Sequence, residues 1–189
     1  IASCLVGSEM CIRDRVKDFQ SLYPKLTLER TSQWMNQAQI LRPHFWNYLK
    51  GYGEITEPMF ALRLYGTTED FGVSLEVSFM ERKKDEHSLS KQNRVLELPI
   101  QPPAYYFAQI DGVSQRFEGT EENRQFLTQQ LAAGQVRKVL IKYDVPLSQA
   151  ASREQVLSQL QEAMTVLIPF YEATRVICCL LYTSDAADE

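Results

Sequence analysis

Histidine is scarce in this chain and cysteine is absent from its middle, and each shortage removes a class of chemistry. Only His44 and His87 occur among 189 residues. A His-based triad or a two-histidine zinc site would need both, and neither has an acidic partner at a useful spacing. Cys4, Cys11, Cys178 and Cys179 all lie in or at the two ends. The body therefore offers no disulfide framework, zinc knuckle or cysteine nucleophile. That usage fits a reducing compartment, and a cytoplasmic location is expected. No apolar run approaches the ~18 residues of a membrane span. G-x-G-x-x-G, the P-loop, H-E-x-x-H and G-x-S-x-G are also missing, so no cofactor and no metal site is expected.

The ends read differently from the rest. Cys4–Arg15 is CLVGSEMCIRDR and Cys179–Glu189 is CLLYTSDAADE. The first resembles the in-frame translation of a transposon-type sequencing-library adapter, and the second resembles that of the matching adapter. A signal peptide would need a basic n-region, a long apolar h-region and a small-residue cleavage site, and Ile1–Arg15 lacks that order. The resemblance implies non-native tags over 1–15 and 179–189, flanking a single domain over 16–178 cut from a longer microbial gene. Setting the tags aside removes Arg13 and Arg15 from the 20 basic residues, and Glu9, Asp14, Asp185, Asp188 and Glu189 from the 24 acidic ones. The net charge then moves from −4 to about −1. Such a body has no long-range field for nucleic acid or an anionic membrane, and neither is expected as a partner.

What is present centres on Met59–Met80, MFALRLYGTTEDFGVSLEVSFM. Two alternating runs flank a polar turn over Thr67–Asp70, which sets Gly66 opposite Phe71. Phe60, Leu62 and Leu64 then share a face with Val77, Leu75 and Val73. Arg63, Ser74, Glu76 and Ser78 share the other. A slip of one residue would bury Glu76 and Ser74 against Phe60 and Leu62, so burial selects this register.

Around the hairpin, Val16–Tyr23 has helical spacing that ends at Pro24, and Leu26–Arg30 alternates like a short strand. Trp34, Ala38 and Leu41 place a helix over Ser32–Leu41, although Trp34–Gln39 also suits an extended run. Pro43 interrupts it, and His44–Lys50 continues it up to Gly51. Glu81–Asn93 has no apolar period and reads as a solvated, mobile charged loop. Val95–Ile100 and Tyr105–Ile110 read as strands, the second turned by Asp111–Gly112. Thr120, Glu121 and Glu122 open a helix that Gly134 closes. Val136–Val145 reads as a strand with at least one wet edge. Ser152 and Gln155 form a capping box for a last helix, which carries Val156, Leu160, Ala163, Met164, Leu167 and Tyr171 on one face, with a kink at Pro169. The order implies an α+β two-layer sandwich: a mostly antiparallel sheet of four to six strands, with helices packed on one face.

Four groupings carry chemistry. In the hairpin register Glu54 falls opposite Lys83, near Glu81 in an E-x-K pattern. That grouping resembles PD-(D/E)xK metal-dependent nucleases, in which acids hold a divalent cation and the lysine steadies water. The simpler reading is a cross-strand ion pair. Aromatic and basic residues interleave over Arg42–Tyr52, where Trp46 could stack a base, though core packing of Phe45, Trp46 and Leu49 is the plainer account. The two histidines form the third grouping. Last, Arg63, Ser74 and Glu76, joined by Tyr105 or Tyr106 if those strands are neighbours, could bind a small polar ligand. A solvated face with Arg63 and Glu76 paired is the alternative. The expectation is a binding or interaction module for a small polar ligand or a protein partner. The competing one is a nuclease or hydrolase using Glu54, Glu81 and Lys83.

Overall fold

Alternation in the central hairpin decides the strand pairing. In a computed structural model, which describes residues 17–29, 46–51, 56–66, 71–81, 86–147 and 152–175, Met59–Gly66 (β3) pairs antiparallel with Phe71–Ser78 (β4). The register is Gly66↔Phe71, Leu64↔Val73, Leu62↔Leu75 and Phe60↔Val77, as the burial pattern requires. Before the hairpin come a helix at 17–22 (α1), Thr27–Leu28 (β1) and Trp46–Lys50 (β2). After it come Glu86–Asn93 (α2), a 3₁₀ turn over Arg94–Glu97, Tyr105–Ile110 (β5) and Val113–Glu118 (β6). Glu121–Ala132 (α3), Val136–Pro146 (β7) and Arg153–Ala173 (α4) complete the chain. The described strands form one antiparallel sheet in the order β1-β2-β3-β4-β7-β5-β6. The fold is α+β.

Among the described residues the sheet has seven strands, one more than the upper bound expected. Residues His44–Lys50, read as helical, include strand β2, whose residues alternate between sheet faces: Leu49 lies opposite Phe60 and Tyr48 opposite Ala61. β6 is almost wholly exposed and polar, so hydrophobic patterning cannot reveal it. It forms because Asp111 (φ 48°) and Gly112 (φ 82°) make a two-residue turn that brings Val113 back against Ile110; a primed turn suits Asp-Gly. Val95–Ile100 is not a strand. It begins as the 3₁₀ turn, and its buried Val95, Leu96 and Ile100 account for the strand-like apolar pattern. β7 lies between β4 and β5 rather than at a wet edge. The proposed helix over Ser32–Leu41 lies outside the described residues.

The main core lies between one sheet face and α4. Phe60, Leu62, Leu64, Val73, Leu75, Val77, Ile141 and Tyr143 meet Val156, Leu160, Ala163, Met164, Leu167 and Tyr171. Phe19 of α1 and Leu127 of α3 join them. Each fully buried Leu or Phe contributes roughly 1.5–3 kcal/mol. Ser152 and Gln155 form the expected capping box, and Thr120 caps α3 by accepting from the Asn123 N–H. Pro169 lies inside α4, which continues to Ala173. Among the described residues no helix is long and apolar enough to cross a membrane.

Of the charged segment, residues 82–85 lie outside the described residues, and Glu86–Asn93 is helix α2 rather than a loop. α2 lies where β4 and β7 diverge beyond Val77↔Ile141. Gln92 Nε2 donates to the Val77 and Val139 carbonyls at 3.1 and 2.9 Å. Asn93 donates to the Arg137 carbonyl at 3.1 Å and accepts from the Val139 N–H at 2.8 Å. These two amides continue the hydrogen bonding where the backbone ladder stops. Lys91 pairs with Glu57, and Ser88 donates to the Thr56 carbonyl at 2.7 Å. Polar anchors leave no apolar period to read. α2 also departs from the arrangement of helices on one face: its Leu89 clusters with Phe79 and with Leu140, which belongs to the other side of the sheet.

Candidate ligand-binding face

The face opposite the main core is built in rows set by strand register. One row runs Trp46, Arg63, Ser74, Asp144 across β2, β3, β4 and β7. The next runs Tyr48, Ala61, Glu76, Lys142, Tyr105, Glu118 and extends through β5 to β6. Ala61 is the small member of its row.

At the centre the Glu76 carboxylate is 0% exposed. Arg63 Nε donates to its Oε1 at 2.9 Å, and Lys142 Nζ lies 2.7 Å from Oε2. The cations are less enclosed, with 27% of the Arg63 side chain and 10% of the Lys142 side chain exposed. Burial by itself raises the Glu76 pKa. The attraction of Lys142 and then Arg63 overcomes it, so the carboxyl sits below its ordinary value. Burial acts against the Arg63 cation too, and the charge of Glu76 outweighs it, leaving Arg63 above its usual range. The triad carries a net charge of +1, and both cations face rings. The Arg63 guanidinium lies 5.8 Å from the Trp46 ring centroid, and the Lys142 ammonium 4.5 Å from that of Phe107.

A second network adjoins the triad. The Tyr105 hydroxyl donates to Asp144 Oδ1 at 2.9 Å, and Arg116 Nη1 donates to Asp144 Oδ2 at 3.2 Å. The Arg116 guanidinium lies 3.7 Å from the Tyr105 ring centroid. Burial, followed by the charge of Asp144, pushes the Tyr105 phenol well above its usual pKa, so it stays a donor.

Of the residues expected to bind a polar ligand, Arg63, Ser74, Glu76, Tyr105 and Trp46 share this face. Tyr106 does not. Successive strand residues alternate between faces, and Tyr106, opposite Ile141, is fully buried in the main core. Lys142, Asp144, Arg116 and Tyr48 are the members that sequence reasoning missed. The alternation of Val136–Pro146 already separates Lys142 and Asp144 from Ile141 and Tyr143. What it cannot reveal is that β7 lies beside β4.

The nuclease grouping is only partly visible. Glu54 and Lys83 lie outside the described residues. Glu81 pairs with Lys138 and, at 3.2 Å, with Arg137. Among the described residues no group of three or more His, Cys, Asp or Glu side chains could hold a metal ion. His44 and Arg42 also lie outside the described residues, and His87 is an exposed residue of α2. In the aromatic and basic stretch, Leu49 joins the core, Trp46 and Tyr48 take the opposite face, and Lys50 pairs with Glu29 at 3.0 Å. No family model matches the chain, and comparison with curated proteins and with solved structures found no match.

Proposed function

We propose that this chain is a binding module whose ion-paired sheet face takes a small polar ligand bearing a carboxylate or phosphate. The observation that carries this reading is the fully buried Glu76 between Arg63 and Lys142. A buried ionic triad is an expensive way to hold a sheet together, since apolar residues of similar volume serve stability as well or better. Retaining three charges there suits recognition more than folding. The net positive charge, the partial exposure of Arg63 and the flanking Trp46 favour an anionic group beside an apolar or planar one. An acidic side chain of a protein partner would satisfy the same chemistry. The nuclease reading has less support, because both Glu81 oxygens already engage cations.

Thermal-shift screening against carboxylates, phosphates, nucleotides, sugars and Mg²⁺ tests the proposal. A ligand at 100 times its Kd adds about 2.7 kcal/mol to the folded state. The expected result is a midpoint raised by an anionic compound and no longer raised in Arg63→Gln. A shift produced by Mg²⁺ alone, or an anion response untouched by Arg63→Gln, would count against it.

A further inference from the structure

β6 ends the sheet, with β5 on one side and, among the described residues, no strand on the other. A two-residue turn closes on a pair that exchanges backbone hydrogen bonds, here Ile110 and Val113, and the antiparallel pattern alternates from there. Val113, Gln115 and Phe117 therefore direct their N–H and carbonyl groups to β5, while those of Ser114 and Arg116 point outward. Every residue of β6 but Phe117 is exposed. Such an edge is a template for another strand. Its far end is closed, because the Glu118 carbonyl already accepts from the Thr120 N–H at 2.8 Å and the Asn123 side-chain amide at 2.9 Å. Those two bonds occupy both lone pairs of that carbonyl.

Apolar surface lies along the same edge. Val113 is 59% exposed, the most of any large hydrophobic residue described. Phe117 shares its sheet face, and the Phe117 ring lies 5.9 Å from that of Phe126, which is itself 39% exposed.

We infer that a second copy of this chain pairs with β6, antiparallel about a two-fold axis at Gln115. A two-fold contact requires the edge to complement itself. Residues that face each other must also share a sheet face, which puts the axis at a residue rather than between two. With the axis at Arg116, the two guanidinium groups lie directly opposite, like charge against like. At Phe117 the ladder needs the Glu118 carbonyl, which is filled. At Ser114 the exposed Val113 meets the partner's Gln115, and Arg116 runs past the strand into the partner's turn. At Gln115, Ser114 exchanges both backbone bonds with the partner's Arg116, and Val113 packs against the partner's Phe117. That register alone uses the free backbone groups, covers the exposed valine and opposes no like charges.

So short an edge suits a weak dimer. Sedimentation of the full chain in reductant, up to about 1 mM, should show monomer and dimer in a ratio that depends on concentration. Amide exchange at Ser114 and Arg116 should slow as the concentration rises. Ser114→Pro removes an outward N–H and spares the bonds to β5, since an edge tolerates proline. It should weaken association about tenfold or more, because the two-fold counts each lost bond twice, and leave the circular dichroism of the monomer unchanged. Val113→Glu keeps every backbone group and should weaken association as well. In Gln115→Cys the introduced thiols meet at a non-hydrogen-bonded pair, where Cα atoms lie about 4.5 Å apart, within reach of a disulfide. Peptide mapping after oxidation should find that bridge. A chain monomeric throughout, a dimer untouched by both Ser114→Pro and Val113→Glu, or failure of the Gln115→Cys bridge each overturns the inference. Slow exchange at Ser114 that ignores concentration also overturns it, since another segment of the same chain would then cover the edge.

Discussion

Replacing Glu76 by Gln keeps the shape of the central triad and removes its negative charge, which makes it the sharpest test of how this sheet is held. The carboxylate is 0% exposed, with Arg63 at 2.9 Å and Lys142 at 2.7 Å. Removing one partner from a buried ionic group costs about 3–5 kcal/mol, because the remaining charge stays desolvated. Arg63 is 27% exposed and can recover some hydration, so the lower end, about 3 kcal/mol, is expected. With a urea m-value of about 2 kcal/mol/M, the unfolding midpoint should fall by about 1.5 M. The pH dependence has a definite sign. The folded pKa of Glu76 is depressed, so its contribution is fully present above its unfolded pKa of about 4.3 and is lost as pH falls through the folded value. The gap between wild type and Glu76→Gln should therefore narrow in acid. The triple change Arg63→Met, Glu76→Leu, Lys142→Met should recover wild-type stability to within about 1 kcal/mol. A cost for Glu76→Gln below about 1 kcal/mol, or a gap that widens as pH falls, would refute the reasoning.

Leu75→Asp places a carboxylate in the fully buried layer beneath α4. It should cost more than about 4 kcal/mol and abolish the cooperative thermal transition seen by circular dichroism. Gln92→Leu leaves the Val77 and Val139 carbonyls without their side-chain donor. A loss of about 2–3 kcal/mol is expected, with faster amide exchange where β4 and β7 part. Hydrogen bonds from Arg124 and then Gln125 hold the Glu121 carboxyl down to about 2. In an NMR titration it should protonate well below the ordinary carboxylate range, and Arg124→Gln should return it towards that range.

Much of this architecture is legible along the chain because its causes are local. The register of Phe60, Leu62 and Leu64 against Val77, Leu75 and Val73 follows from two-residue periodicity, since any slip would bury Glu76 with the leucines. The caps at Thr120 and Ser152 are likewise local, as is the buried stripe of α4. Arg63, Ser74 and Glu76 were placed on one face by the same alternation. The elements that resist reading lack an apolar signature of their own. α2 is anchored by Gln92, Asn93, Ser88 and Lys91 rather than by a hydrophobic stripe. β6 is polar and exists through its turn and its pairing with β5.

By itself, then, the sequence determined which side chains share a face, because strand and helix periods are properties of the backbone. Only the tertiary structure decided which faces meet. The placement of β7 between β4 and β5 brought Lys142 to Glu76 and Asp144 to Tyr105. The passage of α4 beside the proline-rich segment brought Pro169 and Thr165 to one open cleft with Pro102. Strand order and helix docking depend on contacts between residues far apart in the chain, and no short-range pattern encodes them.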